Sequence, residues 1–182
     1  MGAAAVLIAA ATGAAAPDNE RNDAVSVVEE FRLMSAQTIV AVDGQSQVTV
    51  PDGWGMAPRD VWGKGETLQV ADSRGSGNLM IAPQAGRGDF ATFAQNVRAN
   101  LVSGRVIRTS HVSEGRPLSI AGRAAVQWEA GITNNGVDAV GWMTAVEGER
   151  SYYLVFAWTS PARLAEDAET IQDIVLSFRE LP

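Results

Sequence analysis

The sequence predicts an α+β sandwich: about seven antiparallel strands in one sheet, with helices on both faces. Three observations predict it. Short apolar or alternating segments recur between turns rich in Gly, Asn and Asp. Beyond residue 38 only two stretches, 90–101 and 161–178, carry the helical period. The segment 151–158 is apolar on both faces, with Tyr152, Leu154, Phe156 and Trp158 on one and Tyr153, Val155 and Ala157 on the other. An antiparallel strand of that kind has to be covered from both sides.

Taken in order, residues 1–16 open with small apolar residues, among which only Val6, Leu7 and Ile8 are bulky. The run is shorter than the roughly 20 residues of a membrane span. It resembles the apolar region of a secretory signal, with small residues at Thr12 and Ala14, or Gly13 and Ala15, at cleavage spacing. No Lys or Arg stands before it. Residues 1–16 are therefore read as a signal-like segment or membrane-anchor remnant, the part of the chain expected to contact a membrane. Residues 17–37 read as a linker and a short amphipathic helix, because Val25, Val28, Phe31 and Met34 recur at three-residue steps. The domain itself is placed at 38–182.

Strands 38–42 and 47–50 flank the turn Asp43-Gly44-Gln45-Ser46, and Pro51 ends the second. Asp52-Gly53 turns the chain into Trp54, after which 53–65 reads as a loop. Strands 68–72 and 78–83 follow around the turn 73–77. Asp89 is placed as the cap of a helix whose face is Phe90, Phe93, Val97 and Leu101, with Gly104 after its end. Strands are then expected over 105–112, 123–132, 137–146 and 151–158, with a loop over 113–117 and a tight hairpin at Asn134-Asn135-Gly136. In the last helix Ser160 is the expected cap, Pro161 the first residue, and Leu164, Ala168, Ile171, Ile174, Val175 and Phe178 the buried stripe.

Composition excludes several classes of function. The chain has 182 residues, enough for one domain, and no cysteine, so disulfides, thiolate metal sites, a cysteine nucleophile and a lipidated cysteine are excluded. Its 21 acidic against 14 basic residues argue against nucleic-acid binding. A single histidine, His111, excludes multi-histidine metal sites, and no cofactor or metal is expected. Of the 14 basic residues only Lys64 is a lysine, a bias typical of a GC-rich bacterial genome.

The run Gln47-Val48-Thr49-Val50-Pro51-Asp52-Gly53-Trp54 resembles the strand-Pro-x-Gly-Trp opening of PsbP-like domains, a group that includes the DcrB-type and LpqN-type bacterial envelope proteins. The Gly122-Arg123-Ala124 turn agrees with it, as does Tyr152-Tyr153-Leu154-Val155-Phe156-Ala157-Trp158 leading through Ser160-Pro161 into a helix ending at Ser177-Phe178. The resemblance spans roughly residues 38–180. It implies a three-layer α/β/α sandwich around an antiparallel sheet, in an extracytoplasmic protein that acts by binding other proteins. The chain departs from the lipoprotein members in lacking the anchoring cysteine.

Local motifs add little chemistry. Ser110 next to His111 is expected on the opposite face of its strand, and no Gly-x-Ser-x-Gly elbow presents a serine. Gly63-Lys64-Gly65 and Gly75-Ser76-Gly77 lead towards strands, where a phosphate cradle requires a helix, and so read as turns. The Arg87-Gly88-Asp89 tripeptide is explained by Asp89 as a helix cap. Glu166, Asp167, Glu169 and Asp173 read as the solvated face of the last helix. Trp54 and Trp62 flank the 53–65 loop and, with Lys64, are candidate partner contacts, the competing reading for Trp54 being a core plug at one end of the sandwich. The functional expectation is a non-enzymatic adaptor of the bacterial cell envelope, exported or membrane-anchored, whose partner is another envelope or membrane protein. An accessory structural subunit or chaperone-like factor, which would show a large apolar patch or groove, is the alternative. A small-molecule-binding protein or hydrolase would instead show perturbed titratable groups converging in a pocket.

Overall fold

Turn chemistry dictates the strand pairing. In the computed structural model, which describes residues 36–59, 65–84, 88–104, 107–134 and 136–182, Asp43 Oδ1 accepts the Gln45 N–H at 3.0 Å and Gly44 takes φ 70°. That turn joins β1 (Gln37–Val40) to β2 (Ser46–Val50), with Val40 opposite Gln47. After Asp52 and Gly53 a three-residue strand, β3 (Trp54–Met56), pairs with β4 (Leu68–Asp72). Next come β5 (Asn78–Gln84) and α1 (Phe90–Ser103). Asp89 caps α1 by accepting the Thr92 N–H at 2.9 Å, which holds the Asp89 carboxyl below its ordinary range. Gly104 closes the helix in the left-handed conformation, as expected.

Then follow β6 (Arg108–Val112), β7 (Arg116–Ile120), β8 (Arg123–Asn134), β9 (Val137–Glu147) and β10 (Tyr152–Thr159). The last helix differs from expectation at both ends. Ser160 is extended and its hydroxyl makes no capping bond. Pro161–Arg163 forms a 3₁₀ turn, and α2 runs from Leu164 to Leu176. Phe178, placed on the helical stripe, packs in the core beyond the helix end. A final two-residue strand, β11 (Arg179–Glu180), pairs with β2.

The described strands form two sheets, where the sequence suggests about seven strands in one. The small sheet runs β1-β2-β11 and the large one β3-β4-β5-β10-β9-β8-β6. Strand β7 also pairs with β8: β6 lines its half from Ala130 to Thr133, and β7 its half from Arg123 to Gln127. Along β10 the side chains alternate. Tyr153, Val155 and Ala157 join Ile171, Ile174 and Val175 of α2, together with Ile39, Val48 and Val50 of the small sheet. Leu154, Phe156 and Trp158 join Ala94, Val97 and Leu101 of α1. Alternation along a strand puts these two clusters on opposite faces of the large sheet. Among the described residues the fold is thus an α+β fold, mostly antiparallel sheet with two α-helices.

Candidate functional site

The turn after β4 gathers the most concentrated polar chemistry among the described residues. Asp72 is 7% exposed, and its Oδ1 accepts the backbone N–H groups of Ser76 and Gly77 at 2.7 and 3.1 Å. The amides that the Gly75-Ser76-Gly77 turn could turn towards a phosphate are thereby taken by the chain's own carboxylate. Ser76 Oγ lies 2.9 Å from Asp72 Oδ2 and 3.3 Å from Asp167 Oδ2, so its single proton is shared between two carboxylates. Thr159 Oγ1 donates to Asp167 Oδ2 at 2.7 Å and Arg163 to its Oδ1 at 3.2 Å. Arg74 reaches both acids, at 3.1 and 3.6 Å.

Burial alone would raise the Asp72 carboxyl, but bonds from Ser76, Gly77 and Arg74 outweigh it and hold the group below the usual aspartate range. Asp167 follows the same logic: burial raises it, and Thr159, Arg163 and Ser76 pull it lower. Two carboxylates therefore face two guanidiniums. The arrangement pins the 73–77 turn to the start of α2, and the charge that a cation would bring is already supplied by arginine.

Sequence reasoning misplaced Asp167, which is 5% exposed and lies off the solvated face that Glu166, Glu169 and Asp173 occupy. Its position three residues after Leu164 and four before Ile171 was the available signal, because that spacing puts it on the buried stripe. For Asp72 the signal was an acid opening a Gly- and Ser-rich turn.

Beside this latch, on the α1 face, opens a groove of about 530 Å³. Ile107, Ile132, Val137, Ala139, Phe156 and Trp158 supply its apolar lining, with Ser76, Asn78, Asp138 and Ser160 at its rim. The Phe156 and Trp158 rings stack with centroids 5.1 Å apart. Val137, at the β8–β9 hairpin, is 68% exposed, an unusual position for a β-branched apolar side chain. A groove of this size and lining suits an apolar group carried by a partner.

Of the residues singled out from the sequence, Trp54 is a core residue, 8% exposed. Trp62 and Lys64 lie outside the described residues, as do the apolar run, linker and amphipathic stripe of residues 1–35. Trp128 and Trp142 are buried and Trp158 partly so. His111 is exposed on the outermost strand β6. The expectation that Ser110 points away from His111 is corrected by a bulge. Register shifts between Thr109 and His111, and both Ser110 Oγ and His111 Nδ1 crowd the place where a Gly131 side chain would stand. Among the described residues no helix is long and apolar enough to cross a membrane.

The chain matches no protein-family model and no curated protein. It is similar to the solution structure of cyanobacterial PsbP (CyanoP) from Synechocystis sp. PCC 6803, with 11% identity and a TM-score of 0.57, over 81% of this chain and 93% of that one. It is similar to LpqN, involved in cell envelope biogenesis of Mycobacterium tuberculosis, at 14% identity and TM-score 0.57, over 85% and 97%. A third likeness is to the Saccharomyces cerevisiae Ran-binding protein Mog1p, at 10% identity and TM-score 0.55, over 80% and 95%. At such identities the likeness is one of fold, and this chain has a PsbP-like fold.

Proposed function

We propose that this chain is a non-enzymatic, protein-interacting module that serves as an adaptor of the bacterial cell envelope, exported or membrane-anchored through its N-terminal segment. In this reading the large sheet is the middle layer of a three-layer α/β/α sandwich, and one loop end of it meets the partner. The carrying observation is the open apolar groove beside Val137, where stacked Phe156 and Trp158 offer aromatic anchorage. Supporting it, the buried acids Asp72 and Asp167 are neutralised by Arg74 and Arg163, an arrangement suited to holding structure. Similar folds occur in a protein named for binding Ran and in one involved in envelope biogenesis. Trp62 and Lys64 belong to the proposed contact on sequence grounds. Replacing Trp62 with Ala is expected to weaken partner binding while leaving Tm nearly unchanged.

The test is in-cell photo-crosslinking with a benzophenone amino acid in place of Val137, read by mass spectrometry. One dominant envelope or membrane protein, lost when Trp158→Ala is added, is the expected result. Adducts spread evenly over many unfolded clients would replace the adaptor with a chaperone-like factor. No adduct, with the protein in the cytoplasmic fraction, would overturn the proposal.

A further inference from the structure

The small sheet ends on β1, and the outer edge of that strand is open. The Ala41 N–H donates to the Ser46 carbonyl at 2.8 Å, and bonded pairs alternate along an antiparallel ladder. Gln37 and Ile39 therefore bond towards β2, while the N–H and C=O groups of Thr38 and Val40 point away from it. Among the described residues nothing hydrogen-bonds to these outward groups. The side chains beside them are open as well. Thr38 is exposed, Val40 is 44% exposed, and Val42, just past the strand, is 42% exposed.

Other outer strands of this chain are guarded. Strand β6 carries Arg108 and a bulge at Ser110, and β7 carries Arg116 and Pro117. Strand β11, at the far side of the small sheet, consists of the charged pair Arg179-Glu180. Charge, proline and bulges are the devices by which sheets prevent edge-to-edge pairing. Strand β1 has none of them. The run Gln37-Thr38-Ile39-Val40-Ala41-Val42 is uncharged, free of proline and rich in β-branched residues, the composition that a neighbouring strand accepts most readily.

We propose that β1 pairs antiparallel with β1 of a second copy of this chain, about a two-fold axis at Ile39, so that two small sheets join into one. The edge is its own complement. Its open residues stand two apart, so in this register the Thr38 N–H donates to the Val40 carbonyl of the second copy, whose Val40 N–H donates to the Thr38 carbonyl. The symmetry repeats this pair, and every open group on both edges is satisfied. No charge on either strand opposes the approach, and each exposed Val40 is covered by Thr38 of the other copy. A two-fold contact uses up both edges and therefore stops at a dimer. A ladder this short is a weak interface, so the dimer forms at high protein concentration. The groove beside Val137 takes no part in it, and the adaptor reading stands or falls separately.

Because the chain has no cysteine, single cysteines can report the register. The full chain carrying Thr38→Cys, ¹⁵N-labelled, is mixed with unlabelled Val40→Cys, oxidised at high concentration, and its linked products are weighed by mass spectrometry. Opposed residues lie about 5.5 Å apart, within disulfide reach. Two copies of the same position are offset by two residues along the strands, which takes them beyond the roughly 7 Å limit. The mixed disulfide is therefore expected to exceed either homodisulfide about tenfold, against roughly twofold for random collision. Val40→Lys puts a charge on the open edge. It should keep the circular dichroism of the parent and lose the dimer in sedimentation equilibrium. Random disulfide ratios, or a dimer indifferent to Val40→Lys, would overturn the proposal. A benzophenone amino acid in place of Val40 that links the chain in cells to a different protein, and never to itself, would overturn the second copy as occupant.

Discussion

At residue 77 a single methyl group decides whether Trp54 can keep its place. A Cβ there would stand 2.7 Å from Trp54 Cζ2, and the buried ring has no room to retreat. Gly77→Ala is therefore expected to cost about 1–3 kcal/mol through overpacking, read as a lower Tm with secondary structure retained. Trp54→Ala removes the ring and should cost about 3–5 kcal/mol, a cavity effect that thermal or denaturant unfolding would reveal. An unchanged Tm in either variant would make Trp54 a surface residue. Asp72 and Asp167 bring a pH dependence whose sign follows from their lowered pKa values. The folded chain binds these two protons less readily than the unfolded one. Their contribution is thus complete above the unfolded aspartate value near 3.9 and is lost as pH falls through the folded values. Asp167→Asn should flatten the acid limb of a stability–pH curve and lower stability at neutral pH by about 1–3 kcal/mol, since the amide keeps only one of the two oxygens that accept from Arg163 and Thr159 and loses the charge. At Ser110 and His111 strict alternation misleads, because one bulged residue turns two neighbours towards the same glycine.

Elements whose signals are local were legible. Helix α1 carries its own cap at Asp89, its own stop at Gly104 and an apolar face, so its bounds follow from neighbours in sequence. Strand β4 was readable in the same way, between a loop and a turn-forming acid. The short strands were not. Strand β3 has three residues and β11 two, too few for any period to show, and each exists because a partner strand offers it a ladder. Strand β7 contains Pro117, which a central strand would not tolerate but an outer one does. Its hairpin into β8 uses Ala121 at φ 52° with Gly122 at φ 76°, and only the glycine hints at such a turn. The C-terminal strand β11 is held by side chains as well. Glu180 accepts from the Tyr153 hydroxyl at 3.2 Å and from the Arg150 N–H at 3.3 Å. Burial, then the Glu180 charge, pushes the Tyr153 phenol up to about 12. An unfolded tyrosine ionises near 10, so the neutral phenol stabilises the fold below that value and the contribution disappears as pH rises to about 12. Between those values unfolding should become easier with rising pH. In Tyr153→Phe that slope should vanish, and a slope left intact would assign it to another group.

For the whole molecule, the decisive arrangement is the order of strands in the large sheet. Strand β5 lies beside β10, with Leu154 opposite Ala82, so segments about seventy residues apart form the centre. That placement brings the 73–77 turn to the start of α2 and joins Asp72 to Asp167 through Ser76. It also sets two grooves on opposite faces, one beside Val137 and one lined by Gln172 and Glu129. Val137→Asp should leave stability, measured by calorimetry, within about 0.5 kcal/mol of the parent, as expected for an exposed site. A large loss of stability would instead make Val137 part of the packing. By itself the sequence determined the long strands, the doubly apolar β10 and the helical segments 90–101 and 161–178, because periodicity, caps and turns act over a few residues. Tertiary structure alone decided that the described strands divide into two sheets, that Trp54 rests on Gly77, that Asp167 meets Asp72 through Ser76 and that Gln172 and Glu129 share a groove. Each of these depends on contacts between residues far apart in the chain, whose geometry is set only when the sheet closes and the helices dock.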